Sequence, residues 1–144
     1  MVNIHATAIA RNGCGILIKG RSGSGKSDLA LRLITEGMEL IADDRVNLKV
    51  KDKIIYLTAP KTIQGLIEVH GIGIINQKCI QNVPLRLIVN LRPGCEIERF
   101  PHNKSEIINN VPVPSICVDA FEVSTIIKIE IALEIQEGKI NLVK

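Results

Sequence analysis

Short apolar runs, each broken within a few residues by glycine, asparagine or paired charges, fill this chain from end to end. Ile4 to Ala10 reads as a strand carrying His5 and Thr7. Asn12-Gly13 is a turn dipeptide, so Cys14 to Lys19 is predicted to return beside it as a hairpin partner. The period then changes. Leu29, Ala30, Leu33 and Ile34 recur at helical spacing, which predicts a helix over about Lys26 to Glu36 with Gly37 as its stop. Met38 to Ala42 is a second strand that runs into Asp43-Asp44. Arg45 to Val50 and Ile54 to Ala59 flank a turn at Lys51-Asp52-Lys53, and Pro60 ends the pair. Leu85 to Leu91 is a strand that is apolar apart from Arg86 and Asn90. Arg92 to Asn110 is polar, holds Pro93 and Pro101, and is expected to be a mobile loop, with Val111 to Pro114 extended after it. From Ile127 to Gln136 isoleucine and leucine alternate with mostly polar residues, which is strand periodicity, although the Ala, Glu, Lys and Leu content also permits a helix. The pattern predicts an α/β fold: a mixed sheet with a parallel core, an antiparallel portion and flanking helices. Residues 1–144 are expected to form one domain, without repeats or low-complexity tracts.

The junction between the hairpin and the first helix changes the picture from fold to chemistry. Gly20-Arg21-Ser22-Gly23-Ser24-Gly25-Lys26-Ser27 fits the phosphate-binding loop pattern G-x-x-x-x-G-K-[ST] in full. Gly15-Ile16-Leu17-Ile18 leads in as a strand, and Asp28 to Ile34 leads out as an amphipathic helix. Glycines let the backbone turn its N–H groups inward, and the helix start adds the positive end of its dipole. Lys26 is placed to reach the outer phosphates of a nucleotide, and the Ser27 hydroxyl to ligate Mg2+. A Gly/Ser-rich turn before a helix is the plainer reading, but it does not account for the flanking strand and helix.

Composition mostly excludes. There is no Trp, one Tyr (Tyr56) and two Phe (Phe100 and Phe121), so base stacking on aromatic platforms is not expected. A net charge of +3 without a basic stripe points away from a nucleic-acid partner. Cys14, Cys79, Cys95 and Cys117 form no C-x-x-C pair and are expected to be buried free thiols in a reducing cytoplasm. The start of the chain lacks the pattern of a signal peptide, and no apolar run approaches membrane-spanning length. The expectation is a soluble cytoplasmic protein with no membrane partner.

A phosphate loop does not say what is done with the phosphate. Asp43-Asp44 is the informative neighbour, because an apolar strand ending in acids is where a carboxylate supporting Mg2+ is found. Adjacent residues on a strand face opposite sides, so the two acids should differ in role: one toward metal and phosphates, the other toward sheet or helix groups. His5 should be carried near the phosphates by the hairpin, although a lone histidine is more often structural. Glu68 lies in an apolar run before two glycines, where an unpaired charge is costly, so it is either a metal-facing carboxylate or an exposed loop acid. Arg21, Arg45, Arg92 and Arg99 are all candidates to neutralise charge on a transferring phosphoryl group, and sequence chemistry does not choose among them.

Taken together, these residues resemble the catalytic domain of the HPr kinase/phosphorylase family. His5-Ala6-Thr7 is similar to the family's His-x-Thr strand, Gly20 to Asp28 to its loop, and Ala42-Asp43-Asp44 to its double-acid strand end. Glu68-Val69-His70-Gly71-Ile72-Gly73-Ile74-Ile75-Asn76 is similar to the signature E-[IV]-R-G-[LI]-G-I-[IV]. The likeness runs well over residues 2–91 and weakly beyond. It implies a phosphate-loop fold akin to phosphoenolpyruvate carboxykinase, a helical final segment, ATP and Mg2+ as cofactors, and a homohexamer. It implies Asp44 as the general base for a serine of the phosphocarrier protein HPr, and as the acid when inorganic phosphate attacks phosphoserine to give pyrophosphate. By position, Lys26 holds phosphates, Ser27 and Glu68 support the metal, His5 assists, and Arg99 is taken as the catalytic arginine. His70 stands where the signature has Arg, removing a permanent charge and a bidentate fork, and the basic segment linked to dephosphorylation has no counterpart at Val113 to Asp119. The resemblance therefore implies kinase activity more directly than phosphorolysis, in a short form without the family's N-terminal domain. Two other readings compete: a nucleotide-binding sensor without transfer activity, favoured by His70, and a small-molecule kinase, disfavoured by the shortness of the chain.

Overall fold

The computed structural model describes residues 1–143. Its strands are β1 (Val2–His5), β2 (Thr7–Arg11), β3 (Cys14–Lys19), β4 (Glu39–Ala42), β5 (Arg45–Lys51), β6 (Ile54–Thr58), β7 (Leu66–Val69), β8 (Gly73–Asn76), β9 (Val83–Leu91), β10 (Ser105–Ile108) and β11 (Val111–Val118). The helices are α1 (Lys26–Thr35) and α2 (Thr125–Gln136).

Nine strands form one mixed sheet in the order β1-β5-β6-β9-β3-β2-β4, and β10 joins through β11. Strand β9 is the branch point. Its first residues pair antiparallel with β6, one edge runs parallel to β3, and its later residues run parallel to β11. The sheet therefore curls around β9, and the carboxyl ends of the parallel strands β3, β9 and β11 converge. Crevices outside such strand ends are where open α/β sheets bind ligands.

Alternation decides which side each residue buries. Ile16 and Ile18 of β3 pack with Leu29, Leu33, Ile129 and Leu133 in a core under the two helices, while Leu17 joins Ile41, Leu48, Leu57 and Ile88 in a second core inside the curl. Strand β3 is thus buried on both faces, which is why its sequence reads as a continuous apolar run. Helix α1 ends as the sequence predicts. Gly37, at φ 100°, donates to the Ile34 carbonyl at 2.9 Å, and Met38 donates to the Leu33 carbonyl at 3.1 Å, closing the last turn. The Asn12-Gly13 turn has φ of 49° and 78°, the left-handed pair that a tight hairpin needs.

Three expectations need correction, and one open choice is decided. The strand expected over Ile4 to Ala10 is two, because Ala6 leaves the sheet there and donates to the Asp44 carbonyl at 3.2 Å; β1 pairs with β5, and β2 with β3 and β4. The polar stretch from Arg92 to Asn110 is not one loop. Asn109 and Asn110 adopt φ of 47° and 64°, making a tight turn that folds β10 onto β11. The last segment, which its alternation alone would make a strand, is the helix that the resemblance implies. Thr125, Ile129, Ala132 and Leu133 fall on one buried face, whereas Ile127 and Ile131 of the same alternating set remain 58% and 41% exposed. The cysteines are free but not buried: Cys14 and Cys79 are half-buried, and Cys95 and Cys117 are exposed. No helix among the described residues is long and apolar enough to cross a membrane.

Candidate active site

Strand β3 ends at Lys19, and the glycine loop carries the chain from it into α1. Two of its glycines are required by the geometry. A Cβ on Gly20 would lie 2.5 Å from Ser24 Oγ, and Gly25 caps α1 at φ 96° with Ala120 and Phe121 closing on the same side. Ser24 N–H donates to the Arg21 carbonyl at 3.0 Å, which pins the turn. Lys26 is buried under the loop and donates to the carbonyls of Gly20 and Arg21 at 3.0 and 2.9 Å. Among the described residues no ion pair includes it. Its pKa is lowered from the ordinary lysine value, chiefly by desolvation and against the pull of Asp44 and Asp43. The Ser24 hydroxyl is buried with no hydrogen-bond partner among the described residues. A cationic, donor-rich loop whose ammonium has only carbonyls for company is a site made for an anion.

Beyond β4 the two acids part company. Asp43 is 6% exposed and accepts from the Ser27 hydroxyl at 2.7 Å and the Thr7 hydroxyl at 3.0 Å, both on Oδ1, and from the Glu68 N–H at 3.3 Å on Oδ2. It therefore ties β2, α1 and β7 together. Asp44 is largely exposed and sits 3.2 Å from His5 Nδ1. The two acids differ in surroundings, and the reason is not strand pleating. Asp44 adopts φ 71°, and the Arg45 N–H bonds back to the Asp43 carbonyl at 2.9 Å, so a three-residue turn swings the second carboxylate away from the first. His5, at the end of β1, is brought to Asp44 by the pairing of β1 with β5, in which His5 lies opposite Arg45.

Glu68 reaches this centre through its backbone; its side chain is exposed. Its strand β7 pairs with β8 in a hairpin whose turn carries His70 and Gly71, closed by the Ile72 N–H on the Val69 carbonyl at 2.9 Å. His70 thus stands on an exposed hairpin tip. On the other side of the loop, at the ends of β9 and β11, a cleft of about 560 Å³ is lined by Arg21 to Ser24, Arg92, Glu96, Asp119 and Phe121. Arg99 is not among the lining residues; its guanidinium lies 5.3 Å from the Phe100 ring centroid in an exposed segment. Of the four arginine candidates, Arg21 and Arg92 border the loop's cleft. Sequence reasoning left Asp43 without a specific role and missed Thr7 as its partner, although both stand inside the motifs it quoted.

Oxygen donors of this kind suit a hard divalent cation. The Ser27 hydroxyl and the Asp43 carboxylate meet at the end of the loop, and the buried, unpartnered Ser24 hydroxyl and Lys26 ammonium suit the phosphates such a cation accompanies. Strand, loop and helix, with a carboxylate hub at the neighbouring strand end, define an α/β protein of the phosphate-loop kind. The chain belongs to the HPr Serine kinase C-terminal domain family, whose profile matches residues 1–137. The likeness therefore continues well past residue 91. Curated relatives include the HPr kinase/phosphorylase of Exiguobacterium sp., 37% identical over 132 residues (82% of this chain and 42% of the relative), and that of Lactobacillus johnsonii, 38% identical over 128 residues (81% and 40%). The chain spans about two-fifths of the length of these relatives. Among solved structures, the Hpr(Ser) kinase/phosphatase from Coxiella burnetii superposes with a TM-score of 0.84 at 27% identity, covering 96% of this chain and 98% of that one.

Proposed function

We propose that this chain is an ATP- and Mg2+-dependent serine kinase acting on an HPr-like phosphocarrier protein. The observation that carries the reading is the pairing of the anion-ready loop with two carboxylates in different states: Asp43 buried and bonded to Ser27, Asp44 exposed with its Oδ1 3.2 Å from His5 Nδ1. Family membership and the names of the relatives supply the acceptor.

The division of labour follows from the geometry. The loop N–H groups and Lys26 hold the nucleotide's outer phosphates and neutralise charge on the transferring group. Ser27 and Asp43 would hold Mg2+, which when bound would offset charge on the nucleotide's phosphates. Glu68, whose side chain extends from the strand next to Asp43, is assigned to the same cation. Asp44 Oδ1 faces His5, which leaves Oδ2 free to take the proton of the incoming serine hydroxyl as its oxygen bonds to the γ-phosphorus and the bridging oxygen to the β-phosphate leaves. His5 holds the Asp44 carboxylate in position and, when protonated, its charge. Arg21 or Arg92 is a better placed counter-charge than Arg99. In phosphorolysis an oxygen of inorganic phosphate bonds to the phosphoserine phosphorus as the serine oxygen leaves with a proton from Asp44, giving pyrophosphate. Val123, Ile127 and Ile131, exposed around the start of α2, are consistent with an assembled homo-oligomer, the hexamer of the family.

The test is transfer of labelled γ-phosphate from ATP to HPr, followed by mass detection of phosphoserine. Asp44→Asn should slow transfer by roughly 10²- to 10⁴-fold, the span of a lost general base, while nucleotide binding stays within about threefold. Nucleotide binding without any transfer in the unaltered chain would refute the kinase and leave the sensor. Phosphorylated HPr with added phosphate, assayed for pyrophosphate, tests the reverse direction.

A further inference from the structure

Among the described residues Thr7 is the one wholly buried polar side chain that faces the site yet cannot touch a substrate. It lies in β2 opposite Ile18 of β3, with no exposed surface, in the sheet layer beneath the loop. Its hydroxyl donates to Asp43 Oδ1 at 3.0 Å, the same oxygen that accepts from Ser27 at 2.7 Å. Threonine is β-branched and stiff about χ1, and here it is locked in a strand between two cores, so its hydroxyl is a fixed point. Ser27 is at the other end of that arrangement, on the first turn of α1 after a glycine loop and only half-buried. The Glu68 amide, at 3.3 Å on the other oxygen, is the longest of the contacts. Without Thr7 the carboxylate would keep only the partner it is meant to orient and a long bond from a hairpin.

We propose that Thr7 is a positioning residue: it fixes the Asp43 carboxylate so that Asp43 can present the Ser27 oxygen to a divalent cation, and it thereby sets the cation affinity of the site. This rests on the reading of Ser27 and Asp43 as the cation-holding pair. Partners of this kind behind a ligand affect metal affinity by roughly 10- to 100-fold when removed. Thr7→Val keeps the buried volume and the β-branch and removes only the hydroxyl. Thr7→Ser keeps the hydroxyl and removes a methyl group.

The experiment is fluorescent-ADP binding by the whole chain, titrated with Mg2+ from a metal-free start, with thermal unfolding measured in parallel. In Thr7→Val, metal-free ADP binding should match the unaltered protein while the Mg2+ midpoint rises at least tenfold. Thr7→Ser should return that midpoint to within about threefold, although losing a buried methyl costs it some stability. Thr7→Ala carries the same prediction as Thr7→Val, so the comparison does not hang on one variant packing well. A Thr7→Val midpoint equal to the unaltered one, or a Thr7→Ser midpoint shifted as far as that of Thr7→Val, overturns the role of the hydroxyl. Absence of any Mg2+ effect in the unaltered protein overturns the cation reading itself and this proposal with it.

Discussion

Replacing each of the adjacent acids by its amide should give opposite outcomes. Asp43, at 6% exposure, accepts one amide and two hydroxyl hydrogen bonds, and among the described residues no cation pairs with it. In Asp43→Asn the two hydroxyl bonds to the remaining oxygen go from charge-assisted to neutral, and the Glu68 N–H faces an amide NH2 that cannot accept, a loss of about 1 kcal/mol apiece. Relief from burying a charge offsets part of that, so a net cost of about 1–2 kcal/mol follows, or about 3–6 °C in Tm for a chain of this size. Asp44 differs in every respect. It is 69% exposed, its one side-chain partner is a His5 that is 43% exposed, and such pairs contribute at most about 1 kcal/mol. Asparagine also tolerates the left-handed backbone at φ 71°, so Asp44→Asn removes charge without adding strain, as alanine would. Its Tm should stay within about 2 °C of the unaltered chain. Differential scanning calorimetry gives the stability half of the contrast, and Mg2+-dependent ADP binding gives the other: lost in Asp43→Asn, retained in Asp44→Asn. Equal destabilisation by the two substitutions, or Mg2+ dependence that survives Asp43→Asn, would refute the assignment of structural and cation-holding work to the first acid alone.

Two further outcomes bear on the loop. The pKa of Lys26 in the folded chain is lowered from 10.5, so between that lowered value and 10.5 the unfolded chain binds a proton that the folded one lacks, and stability rises with pH across this window. Nucleotide affinity runs the other way, falling as the ammonium loses its charge below the ordinary lysine range; Lys26→Arg, charged throughout, should show a flat profile in a pH series of ADP binding. Gly25→Ala meets φ 96° and a Cβ contact of 3.2 Å with both Ala120 and Phe121, whereas Gly37→Ala meets φ 100° in open space. Both should lose about 1–2 kcal/mol in urea unfolding from backbone strain, but Gly25→Ala alone should weaken ADP binding, by about tenfold or more.

Local signals were legible where one residue type dictates one geometry. Asn12-Gly13 forces a left-handed pair, Gly37 ends a helix, and the glycine loop needs the missing Cβ at Gly20. Signals that depend on what packs opposite were not. The alternation from Ile127 to Ile135 is a true period-two pattern, and it gives a helix because the core beneath the sheet accepts Ile129, Ala132 and Leu133 while leaving Ile127 and Ile131 outside. The break at Ala6 is invisible in an apolar run, since it exists only because β1 and β2 pair with strands in different parts of the curled sheet. Asn109-Asn110 was legible in principle, as two residues that tolerate positive φ between apolar pairs, yet the surrounding polar stretch hid it.

The acid pair separates by a different element from the one its sequence suggests. Strand alternation would send Asp43 and Asp44 to opposite faces of the sheet, which would bury one under the curl and remove it from the loop. The turn at Asp44 does something else. With β4 and β5 running on in one direction against β2 and β1, broken only by a single left-handed residue at Asp44, both carboxylates stay at the same strand end, one directed inward to Ser27 and one outward to His5. A non-glycine residue held at positive φ is a strained choice that sheet pairing on both sides must enforce, here by β4 on β2 and β5 on β1, with the Ala6 N–H clamped to the Asp44 carbonyl. The same break at Ala6 that splits the first strand therefore carries Thr7 to Asp43 and His5 to Asp44. His5 and Thr7, one residue apart on either side of it, serve the two acids separately, and the His-x-Thr and Asp-Asp motifs are two halves of one crossing.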